Sequence, residues 1–319
     1  MLLVFPTVPA LCVLLVLLYV AWAAFSHGAK HQPQLWGYSW VARLAASICR
    51  AIGVACGLTF TVAYDGDMDG LNAEHRGLVA AVGPHGIFPL AMLGFGAFMF
   101  RSDSGHAEPG LSALEARFAG ASIVFLVPII RELILLMGVR DAGRTTVRRL
   151  LAANHSVAIQ PGGIWEMVMC NSEQEALYFQ KSLGFVRLAM EQGRPILACY
   201  SFGENQLFRS WGGHGLRLWV ARKLRIGLPY FHGRWNLPLC LAPRPTKVTF
   251  VVGKRVPTGP PNPNPTDVEV EAVFERYLDE ISRLFKANAP LYLPPDIARR
   301  GLICHRVGFG TVRHAVPNL

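Results

Sequence analysis

Short apolar runs rich in β-branched residues alternate along this chain with longer stretches of helical period. Leu78-Val79-Ala80-Ala81-Val82 is too short for a stable helix and predicts a buried strand. Pro84 and Gly86 punctuate its end, and the apolar segment that follows, 87–98, predicts a mostly buried helix. His85 then falls at a strand-to-helix corner, where a side chain is presented rather than packed. Downstream, Ser122–Leu126 predicts a strand. Residues 145–153 predict a helix with Val147, Leu150 and Leu151 on one face and Asn154 closing its end. Residues 156–160 read as a short strand ending in Pro161-Gly162-Gly163. Residues 181–192 read as a helix with Leu183, Val186, Ala189 and Met190 inward and Gly193 as its stop. Ile196–Phe202 and 247–252 predict strands. Thr266-Asp267-Val268-Glu269 is a capping box that opens a helix with one long apolar stripe from Val270 to Phe285. Strands separated by helices predict an α/β fold with a mainly parallel sheet flanked by helices.

The N-terminal pattern is different. Residues 2–25 contain no charged side chain, and a bilayer core needs about 20 apolar residues in helix. A cleaved signal peptide is the alternative, but no Lys or Arg precedes the run. A second apolar stretch, 45–64, predicts either the return arm of a shallow membrane hairpin or an interfacial segment. The chain therefore divides into an N-terminal membrane anchor, 1–64, and a second domain, 65–319, that carries the alternating pattern. Lys30, Arg43 and Arg50 favour the cytosolic side.

Composition changes the picture in two ways. The chain has 319 residues, of which 52% are hydrophobic and 16% charged, yet its formal charge is +10. An apolar and basic chain suits an anionic membrane surface or an anionic substrate. Zinc-finger spacing and Lys/Arg-rich blocks are absent, which argues against a nucleic-acid partner. The seven cysteines lie far apart without a CxxC, as reduced thiols do. Residues 206–235 mix Arg209, Arg217, Arg222, Lys223, Arg225 and Arg234 with Trp211, Trp219, Tyr230, Phe231 and Trp235. That mixture suits the headgroup level of a bilayer, or else a solvated basic face.

Candidate chemistry collects after strand ends: Pro84-His85-Gly86, Arg131-Glu132, Gly162-Gly163 with Glu166, Glu204-Asn205, and His232 with Arg234. In an open parallel sheet such positions converge beyond the carboxyl ends of the strands. The sequence holds no GxSxG, GxxxxGK[ST] or HExxH pattern. A base, carboxylates, an arginine and glycine turns suit direct transfer of an activated acyl group to a hydroxyl. A neutral imidazole takes the hydroxyl proton, and backbone N–H groups hold the oxyanion.

Taken in order, these motifs resemble the type-2 diacylglycerol acyltransferase family, which also includes monoacylglycerol acyltransferases and wax synthases. The resemblance covers residues 64–288. It rests on Pro84-His85-Gly86, Arg131-Glu132, Gly162 to Glu166, Gly184 to Ala189, Tyr200 to Asn205, Phe231 to Arg234 and Val251 to Lys254. It implies a glycerolipid-acyltransferase-like fold and acyl-CoA-dependent esterification of a lipid hydroxyl, with diacylglycerol as acceptor. A monoacylglycerol or fatty-alcohol acceptor, or a silent lipid-binding protein, is the alternative. The resemblance assigns catalysis to His85 and Glu166. It assigns substrate contacts to Pro84, Gly86, Arg131, Glu132, Gly162, Gly163, Glu204, Asn205, His232 and Arg234. No metal or prosthetic group is implied, and acyl-CoA is a substrate. The implied setting is the endoplasmic reticulum membrane or a lipid droplet, with the catalytic domain facing the cytosol; a homo-oligomer is compatible with it. Two positions depart from the pattern. The first His of the family's His-Pro-His-Gly is Gly83. The acidic residue that the wider glycerolipid acyltransferase group carries after four intervening positions is Leu90.

Overall fold

The computed structural model describes residues 7–65, 71–90, 97–211, 215–224, 227, 229–308 and 311–314. In chain order the first elements are α1 (Thr7–Phe25), α2 (Ser39–Ala55), β1 (Leu58–Tyr64), β2 (Val79–Gly83), α3 (Ala97–Met99), α4 (Pro109–Ala113) and β3 (Arg117–Gly120). There follow α5 (Ile130–Leu136), β4 (Val139–Asp141), α6 (Arg144–Ala152), β5 (Val157–Ile159), α7 (Gly163–Met169), β6 (Glu175–Gln180), α8 (Gly184–Glu191) and β7 (Ile196–Phe202). The last are α9 (Leu216–Leu224), β8 (Thr246–Val256), α10 (Asp267–Tyr292), α11 (Pro295–Arg300), β9 (Leu302–Gly308) and β10 (Thr311–His314).

A seven-stranded sheet runs in the order β1-β8-β7-β2-β5-β3-β4, and a three-stranded sheet in the order β10-β9-β6. In the larger sheet every pair is parallel except β7 with β8. The central strands explain why. Val79 and Ala81 of β2 enter the core under α6, α8 and α10, whereas Leu78, Ala80 and Val82 enter the core on the opposite face. A strand buried on both faces reads as a continuous apolar run, which is how 78–82 reads. Helix α10 opens as its capping box requires, with Thr266 Oγ1 accepting the Glu269 N–H at 3.3 Å. Gly193 stops α8 at φ +58, and Asn154 closes α6 at φ +60.

Three expectations change. Ser122–Leu126 is a 3₁₀ turn, not a strand. It follows β3, whose two flanks are already taken by β5 and β4, so its backbone bonds to itself, Val124 N to Ala121 O and Val127 N to Val124 O. The segment 45–64 is not one apolar span. Its first part belongs to α2, and its last seven residues are β1, paired with β8 from Leu58↔Thr246 to Tyr64↔Val252. The sheet therefore takes in residues assigned above to the anchor, and the division at 64 cuts behind an edge strand. In the segment 87–98, Ile87 and Phe88 form a bend and helix resumes at Ala97–Met99, while 91–96 lie outside the described residues.

The stretch Cys12–His31, most of it in α1, is long and apolar enough to cross a membrane, and is the one such helix among the described residues. Its side chains are not enclosed by the rest of the chain.

Candidate functional site

Strand β2 ends at Gly83, and the next three residues carry the turn. The His85 backbone N–H donates to Glu166 Oε2 at 2.6 Å, and the Tyr178 backbone N–H donates to Glu166 Oε1 at 3.1 Å. One carboxylate thereby joins the end of β2, helix α7 and strand β6. Gly162 makes this possible. A Cβ there would sit 2.2 Å from the Glu166 Cγ and Cδ, so only glycine leaves room for the carboxyl group. Burial pushes the Glu166 carboxyl up to about 7; the two backbone N–H groups pull against this, and the neighbouring Glu175 charge adds to it.

The His85 ring makes a different contact. Its Nδ1 lies 3.0 Å from the Gly86 carbonyl oxygen. A carbonyl only accepts, so Nδ1 carries the proton and Nε2 carries the lone pair. Burial holds the imidazole below its ordinary value, which favours its neutral form. Gly86 has φ +64, and a Cβ on it would press on Glu204, 3.1 Å from Cγ and 3.3 Å from the carbonyl oxygen. Glu204 and Asn205 follow β7 as expected and come to the same corner. Both are buried, and Ser201 Oγ donates to Glu204 Oε2 at 3.3 Å.

Sequence reasoning missed Glu175. It is 1% exposed and accepts three hydrogen bonds: from Tyr200 Oη at 2.6 Å, Asn205 Nδ2 at 2.9 Å and Gln206 Nε2 at 2.8 Å. Burial raises its carboxyl, against those three bonds. Glu175 fixes the Tyr200–Asn205 block to β6 much as Glu166 fixes the His85 turn. In sequence it belongs to Ser172-Glu173-Gln174-Glu175, which reads as solvated loop; the apolar run directly after it was the available signal.

The structure gathers Pro84, His85, Gly86, Gly162, Gly163, Glu166, Glu204 and Asn205 around the ends of β2, β5 and β7. Glu166 and the other assigned residues make the following contacts. Glu166 holds the backbone of His85, not its ring. Arg131 is buried, pairs with Glu132 at 2.5 Å and donates to Ser26 O and Oγ at 2.8 and 2.9 Å. Glu132 Oε2 accepts from Tyr19 at 2.9 Å. This pair fastens the end of α1 to α5; its polar contacts do not reach His85. His232 lies 3.1 Å from Tyr230 Oη through Nε2 and 3.3 Å from Asn236 Oδ1 through Nδ1, with Trp211 edge-on at 5.2 Å. Arg234 reaches Ala55 O at 3.3 Å and covers the Trp235 ring. These loops join the site through Phe231, whose ring meets Phe88 at 5.3 Å and Phe208 at 4.9 Å. Among the described residues, no group of three or more His, Cys, Asp or Glu side chains is placed to hold a metal ion.

Comparison with known proteins identifies the lineage. Diacylglycerol O-acyltransferase 2 of Rattus norvegicus is 28% identical over 246 residues, 69% of this chain and 59% of that protein. The Xenopus laevis protein of the same name is 29% identical over 242 residues, covering 69% and 63%. Diacylglycerol O-acyltransferase 2-like protein 6 of Bos taurus is 26% identical over 245 residues, covering 70% and 68%. The match thus spans about three fifths of the length of the first of these relatives. Among solved structures, the 1-acyl-sn-glycerophosphate acyltransferase of Thermotoga maritima aligns over 85% of this chain and 96% of its own at 14% identity, with a TM-score of 0.41. The diacylglycerol acyltransferase family profile matches residues 3–297, and the chain belongs to that family.

Proposed function

We propose that this protein is an acyl-CoA-dependent O-acyltransferase that converts diacylglycerol to triacylglycerol, with His85 as general base. One observation carries the mechanism: Nδ1 of His85 is committed to the Gly86 carbonyl, which leaves Nε2 as the basic nitrogen at the carboxyl end of β2. The acceptor oxygen attacks the thioester carbonyl carbon while Nε2 takes its proton. The tetrahedral intermediate then collapses with cleavage of the C–S bond. The imidazolium gives its proton to the departing CoA thiolate, a good leaving group that needs little acid help. Glu166 is a positioning residue: it fixes the backbone that aims the imidazole. Acyl-CoA and an acylglycerol are the substrates, and no cofactor is required. Helix α1 anchors the enzyme in the endoplasmic reticulum membrane with the sheet on the cytosolic side.

The test is expression in cells that lack neutral-lipid synthesis, with lipid extracts resolved by class. New triacylglycerol is the expected product. New wax ester or diacylglycerol would reassign the acceptor, and no new lipid would refute the reading.

A further inference from the structure

We infer that residues 122–133 are inserted in the bilayer beside α1, so that the carboxyl edge of the sheet, with His85, is the membrane-facing edge. The inference rests on α1 being the membrane anchor.

The first observation is exposure. Ile123, Leu126, Ile129 and Ile130 are 60%, 69%, 79% and 47% exposed, with Val127 and Leu133 also open. Six large apolar side chains within eleven residues form a patch that water disfavours. Ile129 adds strain to exposure. Its φ is +69, a conformation that β-branched side chains rarely adopt, and it sends the most exposed of these side chains outward.

The second observation names the occupant. The patch is bolted to α1 by the Tyr19–Glu132 and Ser26–Arg131 hydrogen bonds. These bonds fall in the last turns of α1 and just past its end, where Tyr19 and Trp22 stand and before the first charged side chain, Lys30. Aromatic rings at that level mark the boundary between acyl chains and headgroups. A segment fixed to this level of a membrane helix shares its surroundings, and its apolar side chains then face acyl chains. The buried Arg131 guanidinium is paired, the form in which charge is tolerated at such a boundary.

The third observation is topological. Strands β2, β5 and β3 are parallel neighbours, so the His85 turn, the Gly162–Gly163 turn and residues 122–133 all leave the sheet at the same edge. Inserting 122–133 brings the candidate site down to the lipid that it acts on.

Depth-dependent quenching tests this on the full chain. Cys12, Cys49, Cys56 and Cys240 are replaced by Ser, leaving the buried Cys170, Cys199 and Cys304. Single cysteines Ile123→Cys, Leu126→Cys, Val16→Cys and Val268→Cys are labelled with nitrobenzoxadiazole. Each variant is reconstituted in phosphatidylcholine/phosphatidylserine vesicles carrying nitroxide on the acyl chain. The probes at 123, 126 and 16 should be quenched several-fold more than the probe at 268, which stands at the start of α10. Quenching at 16 without quenching at 123 and 126 overturns this inference and leaves the anchor intact. Absence of quenching at all three overturns the anchor and this inference with it.

Discussion

Glu166 and His85 meet through backbone, not through side chains: the carboxylate accepts the His85 N–H at 2.6 Å while the imidazole turns to its own neighbour's carbonyl. The consequence is that Glu166 needs two acceptor oxygens, one for His85 and one for Tyr178. Glu166→Gln keeps the shape but sets an amide N–H₂ against one of the two N–H donors. Leaving a buried donor unmatched costs about 1–3 kcal/mol. Turnover should fall roughly tenfold to a thousandfold, with the loss in kcat and little change in KM, as removal of an orienting group predicts. Wild-type turnover in this variant would reduce Glu166 to a structural residue.

The same carboxyl group makes stability depend on pH. Its folded value, about 7, lies above its ordinary 4.5, so the folded state holds this proton more tightly than the unfolded state does. Its contribution is fully present below pH 4.5 and is lost as pH rises to 7. The total is about 3 kcal/mol, from the ordinary cost per unit of pKa. Glu166→Gln has no such proton. Denaturation of both proteins from pH 4.5 to 8 should show the variant gaining about 3 kcal/mol relative to its parent, and parallel curves would contradict the burial argument.

Activity should carry two protonations on its acid side. Burial places the His85 imidazole below 6.5, and the base works only above its own value. Protonation of Glu166 near 7 loosens the turn that holds the ring. Log kcat/KM should therefore steepen toward a slope of two as pH falls. In Glu166→Gln only the His85 limb remains, and the slope should fall to one. A slope of one in the parent would mean that the Glu166 proton does not matter to catalysis.

Much of this was legible in the sequence, and the exceptions share a cause. Strands β2 and β7 are buried on both faces, so their apolar runs announce themselves, and α10 carries its capping box in plain view. The corner holding His85, Glu204 and Asn205 followed from strand ends alone. What escaped depends on partners far along the chain. Strand β1 is an example: Leu58–Tyr64 has the apolar look of a membrane arm, and only its pairing with β8, nearly two hundred residues on, makes it a strand. Arg131 and Glu132 follow a run that reads in sequence as a strand, where catalytic groups collect, yet that run is a 3₁₀ turn and their partners are Ser26 and Tyr19. Glu175 looks solvated until Tyr200, Asn205 and Gln206 close over it.

Gly162→Ala tests the room made for Glu166. The new Cβ would overlap the carboxyl group at 2.2 Å, and the flexible glutamate must move off the His85 N–H. Activity should fall to about the level of Glu166→Gln, by one to three orders of magnitude. Because both changes break the same contact, the double variant should be little worse than either alone. Additive losses would show that Gly162 serves something other than Glu166.

Gly83 and His85 make the last contrast. Removing a positioned general base costs about 10²–10⁴-fold, so His85→Ala should lose that much acyl transfer and keep its membrane association. Gly83→His restores the family residue, but the structure has filled its place: a Cβ at 83 lies 2.4 Å from Leu177 Cδ2. The leucine must turn away, and overpacking of this kind costs about 1–3 kcal/mol. Gly83→His should therefore be less stable than its parent and no more active per folded molecule, since His85 already supplies the base. Both outcomes are read from lipid products together with a melting curve. Activity confined to Gly83→His, or an His85→Ala protein as active as its parent, would move the base away from His85.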